Sequence, residues 1–295
     1  MKGSLYLNPS SLSLNLPVRA SRCSLTAWRW GMDNPRVGIL QLEVIRDDAA
    51  KNARYVLGQI RDAARAGCDV LVLPELWNVA FPLLGPHVLI SEDNPLVGSI
   101  ANAAFRNETW IIAGSMAIST EAGPRNRCLV FSPDGEVSFR YDKVHLYPGL
   151  NEPNILSPGV SPGRFDLGEV PCGVLICFDV EFPELARRLS SGGARILFVP
   201  GAWKTEYIRF WRALLVSRAI ENQVFVVGVN RCDRGRNSSF GGQSLVVDPF
   251  GDVILHMDDA PRFQRVVLDL SRVDSARREH KVVSSWRPEI YRRWS

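Results

Sequence analysis

No run of about 18 apolar residues occurs in the 295-residue chain, so a membrane-spanning helix is not expected. Metal-binding patterns are missing as well. None of the six cysteines forms a CxxC pair, and the four histidines are scattered, none paired at metal-ligand spacing. A basic body is also lacking. The 35 Lys and Arg exceed the 31 Asp and Glu by four, and Lys2, Arg19, Arg22 and Arg29, in an acid-free stretch of 32 residues, supply that whole excess. The remainder is electrically balanced and has no basic footprint of the kind that binds nucleic acid. The C-terminal arginines (Arg277, Arg278, Arg287, Arg292, Arg293) are interspersed with Glu279, Glu289 and aromatics, and read as a solvated or interface segment.

What is present is the composition of a globular protein with a sizeable core, 46% hydrophobic and 22% charged. Cys68, Cys128 and Cys172 sit in apolar runs, where a free thiol behaves as a small hydrophobe. Reduced thiols favour a reducing compartment, so a cytoplasmic location is expected. Residues 1–32 are rich in Ser and Leu, and are expected to be a poorly ordered extension. They fit either an organelle leader or sequence upstream of a true start at Met32. Residues 33–295 are expected to form a single domain.

From Val37 the pattern alternates between strands and helices. Strands are predicted at Val37–Val44, Val70–Leu73, Trp110–Ile118, Cys172–Cys177, Ile196–Val199, Val224–Val229 and Ser244–Val247. Helices are predicted after an N-cap at Asp47 or Asp48 and near Leu96–Asn107, Pro183–Ser191 and Arg209–Glu221. Asn126–Ser132 and Glu136–Tyr141 flank a Pro133-Asp134-Gly135 turn and read as a hairpin. Gly67-Cys-Asp-Val-Leu-Val-Leu-Pro-Glu75 is echoed by Gly193-Ala-Arg-Ile-Leu-Phe-Val-Pro-Gly201, 126 residues on. Two similar halves, each supplying a sheet and its helices with the sheets packed face to face, fit this echo. Gly201 stands where the first half has Glu75, so chemistry is expected in one half only.

Three residues stand just beyond strand ends, a frequent place for active sites. Cys177 follows a buried strand and precedes a helix, where backbone N–H groups favour a thiolate; its plainer reading is a core cysteine. Glu75 follows Val-Leu-Val-Leu-Pro, where an unpaired carboxylate would be costly. Partial desolvation would raise its pKa toward that of a general base, whereas a loop salt bridge is the plainer reading. Lys143 follows Tyr141-Asp142 and could equally be a surface lysine.

Taken together with their flanks, these residues resemble the nitrilase superfamily of carbon–nitrogen hydrolases over about Val37–Tyr291. Leu73-Pro-Glu75 is similar to its glutamate motif, Tyr141-Asp-Lys143-Val-His-Leu to its lysine motif, and Gly173-Val-Leu-Ile-Cys177-Phe-Asp to its cysteine motif. Pro200-Gly-Ala-Trp203, Trp211-Arg-Ala-Leu-Leu, Ser217-Arg-Ala-Ile-Glu-Asn-Gln223 and Glu152 before Leu156-Ser-Pro-Gly159 resemble the ω-amidase branch that acts on 2-oxo acid amides. That branch commonly carries arginine where this chain has Glu181.

The resemblance implies an α/β fold, a four-layer α-β-β-α sandwich of two face-packed mixed sheets with pseudo-symmetric halves. It also implies a Glu75–Lys143–Cys177 triad, a homodimer or higher homo-oligomer, and no metal or organic cofactor. Glu152 would orient the substrate or Lys143, the Phe178 backbone N–H would serve the oxyanion, and Trp203 would touch a small amide substrate. Three alternatives remain: hydrolysis of N-carbamoyl compounds or generic aliphatic amides, a Cys172–Cys177 redox pair, and a binding module without catalysis. Five residues apart on one strand, those two cysteines would point to opposite faces.

Overall fold

A computed structural model of the chain describes residues 34–45, 48–79, 83, 85, 88–233, 239–291 and 293; the expected extension over residues 1–32 lies outside them. Among the described residues, thirteen strands run in chain order as β1 (Arg36–Gln41), β2 (Val70–Val72), β3 (Trp110–Ile112), β4 (Met116–Ile118), β5 (Arg125–Phe131), β6 (Val137–Asp142), β7 (Gly163–Leu167), β8 (Val170–Val174), β9 (Ile196–Gly201), β10 (Phe225–Asn230), β11 (Leu245–Val247), β12 (Val253–His256) and β13 (Arg262–Val267). The helices are α1 (Ala49–Arg65), α2 (Pro95–Asn107), α3 (Glu152–Ile155), α4 (Pro183–Ser191), α5 (Ile208–Asn222), α6 (Ser271–His280) and α7 (Pro288–Tyr291). None of the described helices is long and apolar enough to cross a membrane.

Side-chain alternation builds the layers. On β1, Val37 and Ile39 face the second sheet, while Leu40 points the other way into a cluster with Val56 and Ile60 of α1 and Ile100 of α2. On the far side, Ala186 and Leu189 of α4 and Leu215 and Ala219 of α5 cover strands β8–β11. The order is therefore helices, sheet, sheet, helices. Asp48 caps α1 by accepting the Lys51 N–H at 2.8 Å.

The echo read in the sequence is a true architectural repeat. The first sheet runs β13-β1-β2-β3-β5-β4, with β6 also on β5, and the second runs β7-β8-β9-β10-β11-β12. Walking across either sheet gives the same succession: antiparallel, parallel, parallel, antiparallel, antiparallel. β2 and β9 occupy matching places, as the paired Gly67–Glu75 and Gly193–Gly201 segments require. The halves are not self-contained, however, because β13 from the C-terminal segment closes the first sheet against β1.

Two predicted strands end differently. Trp110–Ile118 is broken because Gly114 turns at φ +59, bringing its backbone so close to Pro74 that a Cβ would lie 1.8 Å from the Pro74 carbonyl oxygen. Only glycine fits there. The cysteine strand stops at Val174, so Cys177 opens a 3-10 turn over Cys177–Glu181 rather than ending a strand. The C-terminal arginines are not uniformly solvated. Arg277 is partly buried and donates to the Ala194 carbonyl at 2.7 Å.

Candidate active site

Glu75, Lys143 and Cys177 meet between the two sheets. Glu75 follows β2 and its N–H donates to the Gly201 carbonyl at 3.4 Å, so the repeat-equivalent residues touch. Leu76 adopts a left-handed φ of +43 and gives its N–H to Ser115 Oγ at 3.1 Å. The buried Arg231 guanidinium donates to the Leu76 carbonyl at 3.0 Å. This elbow aims the carboxylate inward instead of along the strand.

Gly201 has no side chain for a physical reason. A Cβ there would come within 3.1 Å of the rings of both Trp203 and Trp211. Gly201→Ala is therefore expected to destabilise the fold by about 1–3 kcal/mol through overpacking, read as a lower urea midpoint; an unchanged midpoint would contradict the steric account.

Lys143 follows β6 and keeps pairing to β5 through its N–H to the Asn126 carbonyl at 2.9 Å. Its ammonium donates to Glu75 Oε1 at 2.7 Å and to Glu152 Oε2 at 2.7 Å, and all three side chains are fully shielded from solvent. Three donors on an ammonium leave one N–H for a substrate. Asn126 Nδ2 completes a ring, donating to Glu75 Oε1 at 2.9 Å and Glu152 Oε1 at 2.6 Å. Tyr147 N–H adds a third donor to Glu152 at 2.6 Å. Two carboxylates thus share one ammonium.

Electrostatics follow from that arrangement. Burial opposes the Lys143 charge, yet the Glu152 and Glu75 carboxylates outweigh it and hold the ammonium above its ordinary pKa. Burial raises the Glu75 pKa, with Lys143 acting against the shift and Glu152 reinforcing it. Burial and then the Glu75 charge raise the Cys177 thiol well above its usual value, with Lys143 acting against the shift. A thiol held protonated against a carboxylate of raised pKa suits concerted proton transfer to Glu75.

Cys177 itself stands at φ +50, unusual for a residue with a side chain, at the start of its 3-10 turn. Asp179, fully buried, holds this turn. It accepts from Ile176 N–H at 3.0 Å, from Tyr141 Oη–H at 2.7 Å and from His145 N–H at 2.9 Å. One carboxylate therefore ties the cysteine turn to the segment that carries Lys143. Phe178 packs edge-on against Tyr147 and Phe182. Its N–H lies in the first turn, where helical N–H groups find no partner within the turn. Trp203 is fixed by its N–H to Asn230 Oδ1 at 2.7 Å and leans on Trp211, while its indole N–H has no protein partner.

Cys177, Phe178 and Trp203 line a cavity of about 180 Å³ together with Tyr147, Glu181 and Lys204. A larger hollow bounded by His256, Asp258 and Asp259 touches none of the triad. Cys172, on β8, is a free thiol, as is Cys177. Among the described residues no cluster of His, Cys, Asp or Glu could hold a metal.

A sequence model of the carbon-nitrogen hydrolases matches residues 36–278. The chain belongs to that family. This carbon–nitrogen hydrolase is 33% identical to the 2-oxoglutaramate amidase of Bacillus subtilis, over 76% of this chain and 86% of that one. It is 29% identical to the mouse omega-amidase NIT2, over 88% of this chain and 98% of the relative. Among solved structures, XC1258 from Xanthomonas campestris, a CN-hydrolase superfamily protein with an arsenic adduct in its active site, superposes with a TM-score of 0.81 at 25% identity, covering 86% and 97% of the two chains. The four-layer sandwich expected from the nitrilase resemblance is the fold of this hydrolase, and its chemistry is hydrolysis of carbon–nitrogen bonds other than peptide bonds.

Asn126 was not anticipated as a site residue. The signal was available in the alternation of β5, where Asn126 shares a face with Cys128 and Val130 of the inter-sheet core. A polar residue on a buried face calls for a partner.

Proposed function

We propose that this chain hydrolyses the ω-amide of a small 2-oxo dicarboxylic acid to the acid and ammonia, through a thioester on Cys177. The observation that carries this reading is the convergence of a buried carboxylate and ammonium behind a thiol that lines one small cavity. Cys177 Sγ attacks the amide carbonyl as its proton passes to Glu75. The free Lys143 N–H and the Phe178 N–H stabilise the oxyanion, each such donor being worth roughly 3–4 kcal/mol. Glu75 returns the proton to nitrogen, ammonia leaves, and the thioester remains. Water then attacks the thioester as Glu75 takes its proton; the tetrahedral adduct collapses, the acid departs, and Glu75 reprotonates the sulfur. Glu152 fixes Lys143, and the unpartnered Trp203 indole N–H serves the substrate.

The cavity is smaller than the ~300 Å³ lower bound of drug-sized pockets, which favours a short linear substrate. The relatives named for 2-oxoglutaramate and ω-amides supply the substrate class. Lys204 lines the same pocket as Glu181 and offers a cation for the distal carboxylate. Lys204→Ala is expected to raise KM for 2-oxoglutaramate about tenfold, the scale of one charge-assisted hydrogen bond, and to leave KM for a neutral aliphatic amide unchanged. Equal shifts for both substrates would remove the carboxylate from this reading.

The negative Glu181 in the same wall favours a second reading, hydrolysis of generic aliphatic amides or N-carbamoyl compounds. Ammonia release without carbon dioxide across 2-oxoglutaramate, 2-oxosuccinamate, N-carbamoyl amino acids and simple amides separates the two. The proposal extends to one domain over residues 33–295, working in the cytoplasm as a homodimer. Half-exposed Ile220 on α5 supports self-association, which sedimentation would test.

A further inference from the structure

We infer that Asn126 is a positioning residue for the base: by occupying Glu75 Oε1 and Glu152 Oε1 it leaves Glu75 Oε2 for the Cys177 proton. The inference rests on the proposed mechanism and concerns the one polar side chain of the ring that it leaves without a task.

The donors are distributed unevenly. Glu152 has both oxygens engaged: Oε1 by Asn126 Nδ2, and Oε2 by the Lys143 ammonium and the Tyr147 N–H. None of these donors can accept a hydrogen bond in return, so a carboxyl O–H on Glu152 would find no acceptor among them. Glu75 is different. Lys143 and Asn126 both converge on its Oε1, and neither reaches Oε2. Cys177 is the remaining titratable neighbour of that carboxylate.

The orientation of Asn126 has a cost of its own. Its Oδ1 is buried and has no hydrogen-bond partner, a loss that the fold accepts in order to turn both amide hydrogens toward carboxylates. Rotating the amide would satisfy nothing, because Oδ1 would then face Glu75 Oε1 and Glu152 Oε1. The backbone holds the residue in place, with the Asn126 carbonyl receiving the Lys143 N–H. The titratable groups around it are Glu75 beyond β2, Lys143 beyond β6, Glu152 on α3 and Cys177 beyond β8. With the amide removed, one ammonium must serve two carboxylates alone, and the pair binds a proton more tightly. The base is then protonated over a wider range of acid pH.

The test compares wild type, Asn126→Ala and Asn126→Ser as full-length proteins, with two readouts against pH. One is kcat/KM for ammonia release from 2-oxoglutaramate. The other is the rate of Cys177 alkylation by iodoacetamide, which needs no assumption about substrate. The acid limb of both profiles is expected to move up by about one unit in Asn126→Ala, a tenfold loss below the limb. It should move less in Asn126→Ser, which retains a donor. A residue with a purely structural role would lower kcat or stability and leave the limb in place. An unmoved limb in whichever variant folds overturns the inference. A shifted alkylation profile in a protein that releases no ammonia would sustain it and instead reject the amide reading.

Discussion

Cys177→Ala is expected to lower ammonia release by at least about 10⁴-fold while leaving the protein folded. Loss of the sulfur removes the nucleophile, and nothing else within the cavity can form the thioester. The structural cost is small. Alanine and cysteine face the same backbone penalty at φ +50, and the turn is held by Asp179 through Ile176, Tyr141 and His145, not by the thiol. The urea midpoint should stay close to that of wild type. A variant that hydrolyses 2-oxoglutaramate at the wild-type rate would end the assignment of Cys177.

Lys143→Ala should behave in the opposite manner, losing stability as well as activity. Removing the ammonium strands Glu75 and Glu152 as two fully buried carboxylates with no compensating charge, and breaking a buried pair in this way costs about 3–5 kcal/mol. The pH dependence of that deficit has a definite sign. Burial raises the Glu75 pKa in the folded protein and Lys143 acts against that shift, so without Lys143 it rises further above the ordinary value of about 4.3 for Glu. The folded variant then binds protons more tightly than the unfolded chain, so its deficit should be largest near neutral pH and should shrink as pH falls. Urea unfolding at two pH values, one neutral and one mildly acidic, measures this. A deficit that is the same at both, or absent, would mean that the two carboxylates do not depend on the ammonium.

Much of this organisation was legible in the sequence because it rests on local pattern. Strong periodicity placed α4 at Pro183–Ser191, and the Pro133-Asp134-Gly135 turn placed the β5–β6 hairpin. The 126-residue echo gave the pseudo-symmetry, and the three motifs gave the residues that converge. What escaped depends on contacts distant in sequence. β12 and β13 are half-exposed, and α6 is charged over most of its surface, so none shows a strong apolar period. Gly114 breaks β3 from β4 because Pro74, forty residues earlier, occupies the space a Cβ would need. Cys177 leaves its strand early because Asp179 reaches back to the Ile176 N–H. Asn126 was overlooked because a lone asparagine at a strand start reads as turn chemistry until the carboxylates it serves are known.

The pairing of β1 with β13 has a consequence for how the chain is made. Arg36 aligns with Val267 and Gln41 with Arg262, so the first sheet reaches its final width only after nearly the whole polypeptide has left the ribosome. Until then β1 presents an unpaired apolar edge of the kind that invites association with other nascent chains. Truncations ending before residue 262 are therefore expected to aggregate, read as light scattering, even though they retain Glu75, Lys143 and Cys177.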